Sequence, residues 1–202
     1  METRSTFDIL LDYPKKHGLD YQSGKQHRRL LSPNDPTLAT KFVRFKAKED
    51  IWFYACDSHT TNAFMSKTFT GLYCSVDLDP EFSLKAYKKD WFDFILRRNK
   101  MKTGNKYVDS KLTVTCESET FPADLLKEEE ADLFMKLEKM VNPLLLLVEP
   151  EYILTIEELK GKMVAGLEIS RWIHEEEMID QIMDIGTAIL YGLKKNAWSL
   201  LS

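Results

Sequence analysis

A thiol, a carboxylate, a hydroxyl and an imidazole follow one another in Cys56-Asp57-Ser58-His59. A thiolate is a strong nucleophile and an imidazole a good base. Cys56 and His59, with Asp57 and the chain's tyrosines, are therefore the candidates for a hydrolase-like site. Such a site also needs donors for an oxyanion. No Gly-x-Ser-x-Gly elbow and no His-Glu-x-x-His helix occurs. Zinc wants three or four ligands, and Cys56 with His59 gives two. His174 stands three and four residues before Glu177 and Met178, a ligand spacing on a helix, but no second such pair completes a site. The other histidines, His17 and His27, are scattered. No metal, no cofactor and no complete catalytic set is expected.

Lys102-Thr103-Gly104-Asn105-Lys106 has the look of a phosphate loop. A Walker loop places four residues between its glycines and then Lys and Ser or Thr, so that successive amides wrap a phosphate. That spacing is absent. Lys25, His27, Arg28 and Arg29 form a basic cluster with no aromatic residue interleaved to stack a base, so no nucleic-acid partner is expected. Trp52-Phe53-Tyr54 are three aromatics in a row. One or two should fill a core, leaving the third as an anchor for a partner.

Elements must position these groups. Apolar residues make 44% of the 202-residue chain and charged residues 30%, a globular balance that sets disorder aside. No apolar run, 144–148 included, approaches the ~20 residues a membrane span needs. The N-terminus has no apolar core, so no signal peptide is expected. Three separated cysteines, Cys56, Cys74 and Cys116, fit free thiols in a reducing cytoplasm. Residues 1–106 hold 19 Lys and Arg against 13 Asp and Glu, whereas 107–202 hold 9 against 19. Either the halves present opposite surfaces, or they intermix and the charges cancel in space. The second reading is preferred.

The clearest segment is 172–195. At 100° per residue, Met178, Ile179, Ile182, Met183, Ile185, Ile189, Leu190 and Leu193 share one side, and Asp180, Asp184 and Thr187 lie on the other. This predicts a long amphipathic helix. Residues 122–141 repeat the pattern through Leu126, Leu133, Phe134, Leu137, Met140 and Val141. A short helix is expected over 6–18, capped by Ser5 or Thr6, interrupted at Pro14 and stopped at Gly18. Residues 19–38 are polar, with Ser32-Pro33-Asn34-Asp35-Pro36 as a loop and the Lys25–Arg29 cluster read as solvated loop. Strands are expected at 41–46, where Phe42 and Arg44 face away from Val43 and Phe45, and at 51–56, 71–78, 82–87 and 111–116. Further strands are expected at 144–147, 152–156 and 163–169, with a short helix starting near Asp90.

The segment Lys102-Thr103-Gly104-Asn105-Lys106-Tyr107-Val108-Asp109-Ser110-Lys111-Leu112 resembles an uncharacterised bacterial domain family. That family carries a Thr-Gly-Asp/Asn turn, an apolar residue, Asp and then a strand. The Leu125-Leu126 pair, a helix, short strands and a terminal amphipathic helix extend the similarity over residues 91–195. Asn105 stands where Asp is common, and many relatives carry membrane spans before this region. The resemblance implies an α+β domain and brings no catalytic residues. In the turn itself, Gly104 should supply a positive φ and Asp109 should bond neighbouring backbone amides.

The expected fold is a single α+β domain over 1–202, a mostly antiparallel sheet with helices on one face, and a loosely ordered N-terminal segment 1–38. The expected function is a non-catalytic binding or protein-interaction module. Its acidic second half would favour a basic protein partner. The alternative is an enzyme built around Cys56 and His59.

Overall fold

The computed structural model describes residues 4–29, 37–59, 67–89, 100–118, 121–122, 124–150, 152 and 156–200. Its backbone is one nine-stranded antiparallel sheet. The strands are β1 (Tyr21–Arg29), β2 (Thr37–Lys48), β3 (Ile51–His59), β4 (Lys67–Ser75), β5 (Leu84–Lys88), β6 (Lys100–Met101), β7 (Leu112–Cys116), β8 (Leu144–Pro150) and β9 (Met163–Ile169). They lie in the order β1-β2-β3-β4-β9-β8-β5-β7-β6. The first four form a meander, and every pairing is antiparallel.

Four helices, α1 (Thr6–Lys16), α2 (Lys106–Lys111), α3 (Glu128–Val141) and α4 (Glu176–Ser199), accompany the sheet. Alternation sends Val43 and Phe45 of β2, Phe53 and Ala55 of β3, Leu72 and Cys74 of β4, and Ala165 and Leu167 of β9 to one side. There they pack with Leu10 of α1, Phe134 and Leu137 of α3, and Ile182, Ile189 and Leu193 of α4 in one apolar core. Each buried aliphatic contributes about 1.5–3 kcal/mol gross, most of it offset by ordering the chain. Gly186 lets α4 approach the sheet closely: an added Cβ would stand 2.7 Å from Leu72 Cδ1. The α+β class and the helices on one face are as the sequence implies.

Several boundaries differ, each for a tertiary reason. The polar stretch read as loop contains β1, which pairs with β2 from Tyr21 opposite Phe45 to Arg29 opposite Thr37. An edge strand needs little apolar character, because its partner supplies the order. The terminal helix begins at Glu176 and runs to Ser199. Residues just before it are tied to β4 instead, with Ile173 N donating to Thr70 Oγ1 (3.0 Å) and Thr70 Oγ1 to Arg171 O (2.9 Å). Thr187, placed on the wet side by its polarity, is buried, and its hydroxyl bonds back to Asp184 O (3.3 Å). Pro14 lies inside α1, which Ser5 caps by accepting from Asp8 N (3.2 Å). Tyr152 and Ile156 belong to no strand. The rest of that expected strand, and most of the helix expected near Asp90, fall outside the described residues.

Between β8 and β9, residues 156–159 pack on the sheet face opposite the helices. Their 3-10 turn, Glu157–Leu159, buries Ile156 and Leu159 in a second cluster with Tyr54, Cys56, Phe69, Tyr73 and Val164. It acts as a strap over β4 and β9 and leaves the β1–β2 side of that face wet, where Gln22 and Lys46 are exposed.

Candidate functional site

Strand β3 separates the residues that the sequence placed together. Cys56 is an odd number of positions from Asp57 and from His59, so it points to the strap face while they point to the helix face. Cys56 is buried in the aromatic cluster, and that burial raises its thiol pKa. The Cys56–His59 pair is therefore not assembled. Cys74 is buried in the helix-side core and its thiol is pushed up to about 12 by desolvation. Raised thiols hold little thiolate at neutral pH and are poor nucleophiles.

Asp57 and His59 do meet. Asp57 Oδ1 lies 2.7 Å from His59 Nε2 and accepts from Thr68 Oγ1 (2.6 Å), and Oδ2 pairs with Lys41 Nζ (2.9 Å). Burial alone would raise this carboxyl, but the bonds from Thr68, Lys41 and His59 outweigh it and hold Asp57 below the ordinary carboxylate range. The carboxylate orients the imidazole, yet it is shared three ways. Thr68 Oγ1 donates its proton to Asp57 and is thereby not offered to His59. The cluster is built to hold strand ends together. Lys41 also lies over the Trp172 ring, 5.4 Å from its centroid.

A second buried carboxylate, Glu168 of β9, occupies the other face. Glu168 Oε2 accepts from Tyr152 OH (2.8 Å) and Tyr73 OH (3.2 Å), and Oε1 pairs with Lys67 Nζ (3.2 Å). Successive residues of β4, Lys67 and Thr68, thus serve the two carboxylates from opposite faces. Tyr73 reaches Glu168 because its ring lies over two glycines. An added Cβ on Gly166 would stand 2.6 Å from the ring, and one on Gly71 would meet both Tyr73 OH and Leu167 O at 2.6 Å. Of the tyrosine candidates, Tyr73 and Tyr152 are structural donors to Glu168, and desolvation by burial raises the Tyr73 hydroxyl well above its usual range.

Beyond the strap, the same face is aromatic and basic. The register aligns Gln22, Arg44 and Tyr54 in one row, Lys46 with Trp52 in the next, and Gly24, Phe42, Cys56 and Phe69 in another. Phe42 extends over Gly24, where a Cβ would stand 2.7 Å from the ring. Lys46 lies 5.4 Å above the Trp52 ring. Arg44 Nε donates to Gln22 Oε1 (3.0 Å), and its Nη1 is shielded with no hydrogen-bond partner. Among the described residues neither Arg44 nor Lys46 pairs with a carboxylate. Of the three consecutive aromatics, Phe53 fills the helix-side core, Tyr54 is buried on the strap face and Trp52 is half-buried there. The alternation of Phe42 and Arg44 against Val43 and Phe45 was the signal for this surface. The partners that complete it, Trp52 and Tyr54, come from the next strand.

Charge follows the same division. Strands β1–β4, all from the basic first half, are contiguous in the sheet, so the two halves do not fully intermix. Exposed acids, among them Glu128, Glu129, Asp132, Glu176, Glu177 and Asp184, lie on α3 and α4. On the strap, exposed Glu157 and Glu158 border the basic face on its β9 side.

Two further sequence candidates are structural. His174 precedes α4, so it has no helical spacing to Glu177 or Met178. Asn105 caps α2, accepting from Tyr107 N (2.9 Å) and Val108 N (3.3 Å). Gly104 has φ +85°. Asp109 Oδ1 accepts from Thr103 N and Thr103 Oγ1, both at 3.0 Å, pinning the turn as expected. The surface beside the turn is an open hollow of about 820 Å³ lined by Asn105, Tyr107, Ser110 and Glu128.

Fold and site together define an α+β protein with a helix-covered face and a strapped, aromatic-basic face. Comparisons with protein-family models, curated proteins and solved structures return no match. No helix among the described residues is long and apolar enough to cross a membrane.

Proposed function

We propose that the chain is a non-catalytic binding module whose docking surface is the strap-side face of β1–β3. One observation carries this reading: Arg44 and Lys46, two cations with no carboxylate partner among the described residues, interleave with half-buried Phe42 and Trp52 on one sheet face. Aromatic and Arg side chains on a rigid surface are what recognition uses most. The acidic half of the sequence pointed to a basic partner. That acidity lies on the helices, and this face fits an anionic one. Buried thiols and a three-way shared Asp57 support binding over catalysis. Free Cys56, Cys74 and Cys116 support a reducing, cytoplasmic setting.

Retention on immobilised heparin, a generic polyanion, tests the reading. The protein should bind at low salt, and the R44Q/K46Q double variant should elute at markedly lower salt. Lys139→Gln on the exposed side of α3 should leave elution unchanged. Equal elution of all three proteins would refute this docking surface.

A further inference from the structure

Resting on that binding reading, we infer that the ligand of the β1–β3 face is single-stranded nucleic acid, held by stacking on Phe42 and Trp52 with Arg44 and Lys46 on its phosphates.

The basic cluster of β1 offered no such surface in sequence, because no aromatic residue lies within it. Sheet register supplies what the primary order lacks. Arg44 is flanked on its own face by Phe42 one step along β2 and by Tyr54 across the ladder, and Lys46 by Trp52. Side chains on one face of a strand recur about every 7 Å. Phe42 and the Lys46–Trp52 row are four residues apart, about 14 Å, with Arg44 between them. An extended single strand with bases on the two rings therefore brings backbone phosphates past Arg44 and Lys46. Gly24 is needed beneath Phe42, since any side chain there would lift the ring out of position. The Lys46 ammonium above Trp52 can swing aside to a phosphate when a base takes the ring.

An acidic peptide would satisfy the cations equally well. It has no use for two spaced rings, which every base can stack on regardless of sequence. Duplex would present its bases to neither ring.

The test uses the full-length protein and fluorescently labelled oligothymidylate and oligouridylate, read by anisotropy. Polyglutamate and a DNA duplex of equal charge serve as competitors. Both single strands should bind, and duplex and polyglutamate should compete weakly. Two uncompensated cations predict a slope near 1.4 in log Kd against log salt, so affinity should fall roughly sevenfold for a fourfold rise in salt. Phe42→Ala and Trp52→Ala should each weaken binding about fivefold or more, the range of one lost base–aromatic stack. Phe42→Tyr should retain it. Thermal melts of the variants separate lost stacking from lost fold. Polyglutamate competing as well as oligonucleotide, with no effect of Phe42→Ala, would overturn this inference and leave an anion-binding surface standing. Binding of neither polyanion would overturn both.

Discussion

Phe42 and Val43 are adjacent in the chain and live in different solvents. Val43 is fully buried beneath the helices, while Phe42 lies half-exposed over Gly24. The same contrast runs through Phe53 against Trp52, whereas Leu72 and Tyr73 face opposite sides and are both fully buried. On the helix face, aliphatic and aromatic side chains interdigitate, and shape alone decides what fits. The strap face orders its residues with polar contacts: Glu168 under two tyrosines and Lys67, Arg44 on Gln22, Lys46 on Trp52. A face held by packing tolerates a charge only where partners meet it, as Lys41, Thr68 and His59 meet Asp57. One held by cations and rings has surface left over for a partner.

The difference can be broken most severely from the helix side. Ile182→Asp or Ile189→Asp puts a charge into a site 1% or less exposed and should destabilise by on the order of 4 kcal/mol or more, unfolding the domain. Asp184→Ala, exposed on the same helix, should leave the melt unchanged. Circular dichroism melts decide, and equal transitions for all three would refute the packing.

Glycine replacements come next, because they compare a rigid with a yielding neighbour. Gly71→Ala drives a methyl against the Leu167 carbonyl, which the sheet fixes, and should lose about 2–3 kcal/mol. Gly24→Ala meets only the end of the Phe42 ring and should lose about 1 kcal/mol or less. The order of the two denaturation midpoints is the check.

The two buried carboxylates give a smaller contrast. Glu168→Ala leaves the fully buried Tyr73 hydroxyl without this acceptor and should lose about 2–3 kcal/mol. Asp57→Ala releases Lys41 and His59, which can turn to water, and should lose about 1–2 kcal/mol. Urea titration resolves the difference, and a larger loss at Asp57 would reverse the assignment of the deeper cluster.

Acidity sharpens it further. Asp57 has a lowered folded pKa, so its stabilisation is complete above the ordinary carboxylate pKa and is lost as pH falls through the lowered value, below about 4. Glu138 behaves oppositely. Burial raises its pKa while its Oε2 accepts from Leu144 N (2.7 Å). Its contribution is complete below the unfolded pKa and is lost as pH rises through the raised one. Glu138→Gln should therefore stabilise slightly at neutral pH, whereas Asp57→Asn should destabilise there and flatten the acid limb of the stability curve. A melt series from acid to neutral pH tests both signs.

The legibility of the chain follows the range of the forces involved. Helix α4 was readable because its period is local and its apolar stripe is wide; its first turn was misplaced because Thr70, far away in sequence, claims Ile173 and Arg171. The Thr103–Asp109 turn was readable because the bonds that pin it, Thr103 to Asp109 and the Asn105 cap, close within six residues. Strand β1 was not, since its order comes from β2. Cys56, Asp57 and His59 were proposed as one constellation. Residue types and proximity supported that grouping, but strand alternation divides it. Glu168 gave no signal at all: an isolated acid in an apolar strand becomes intelligible only when Lys67, Tyr73 and Tyr152 arrive from two other segments.

By itself the sequence determined the α+β class, the helix-facing stripe and which residues of β2 turn away from it, because periodicity is written in neighbouring residues. Only the tertiary structure decided which strands lie side by side. That choice sets the cross-strand register, and register alone brings Trp52 and Tyr54 beside Arg44 and Lys46.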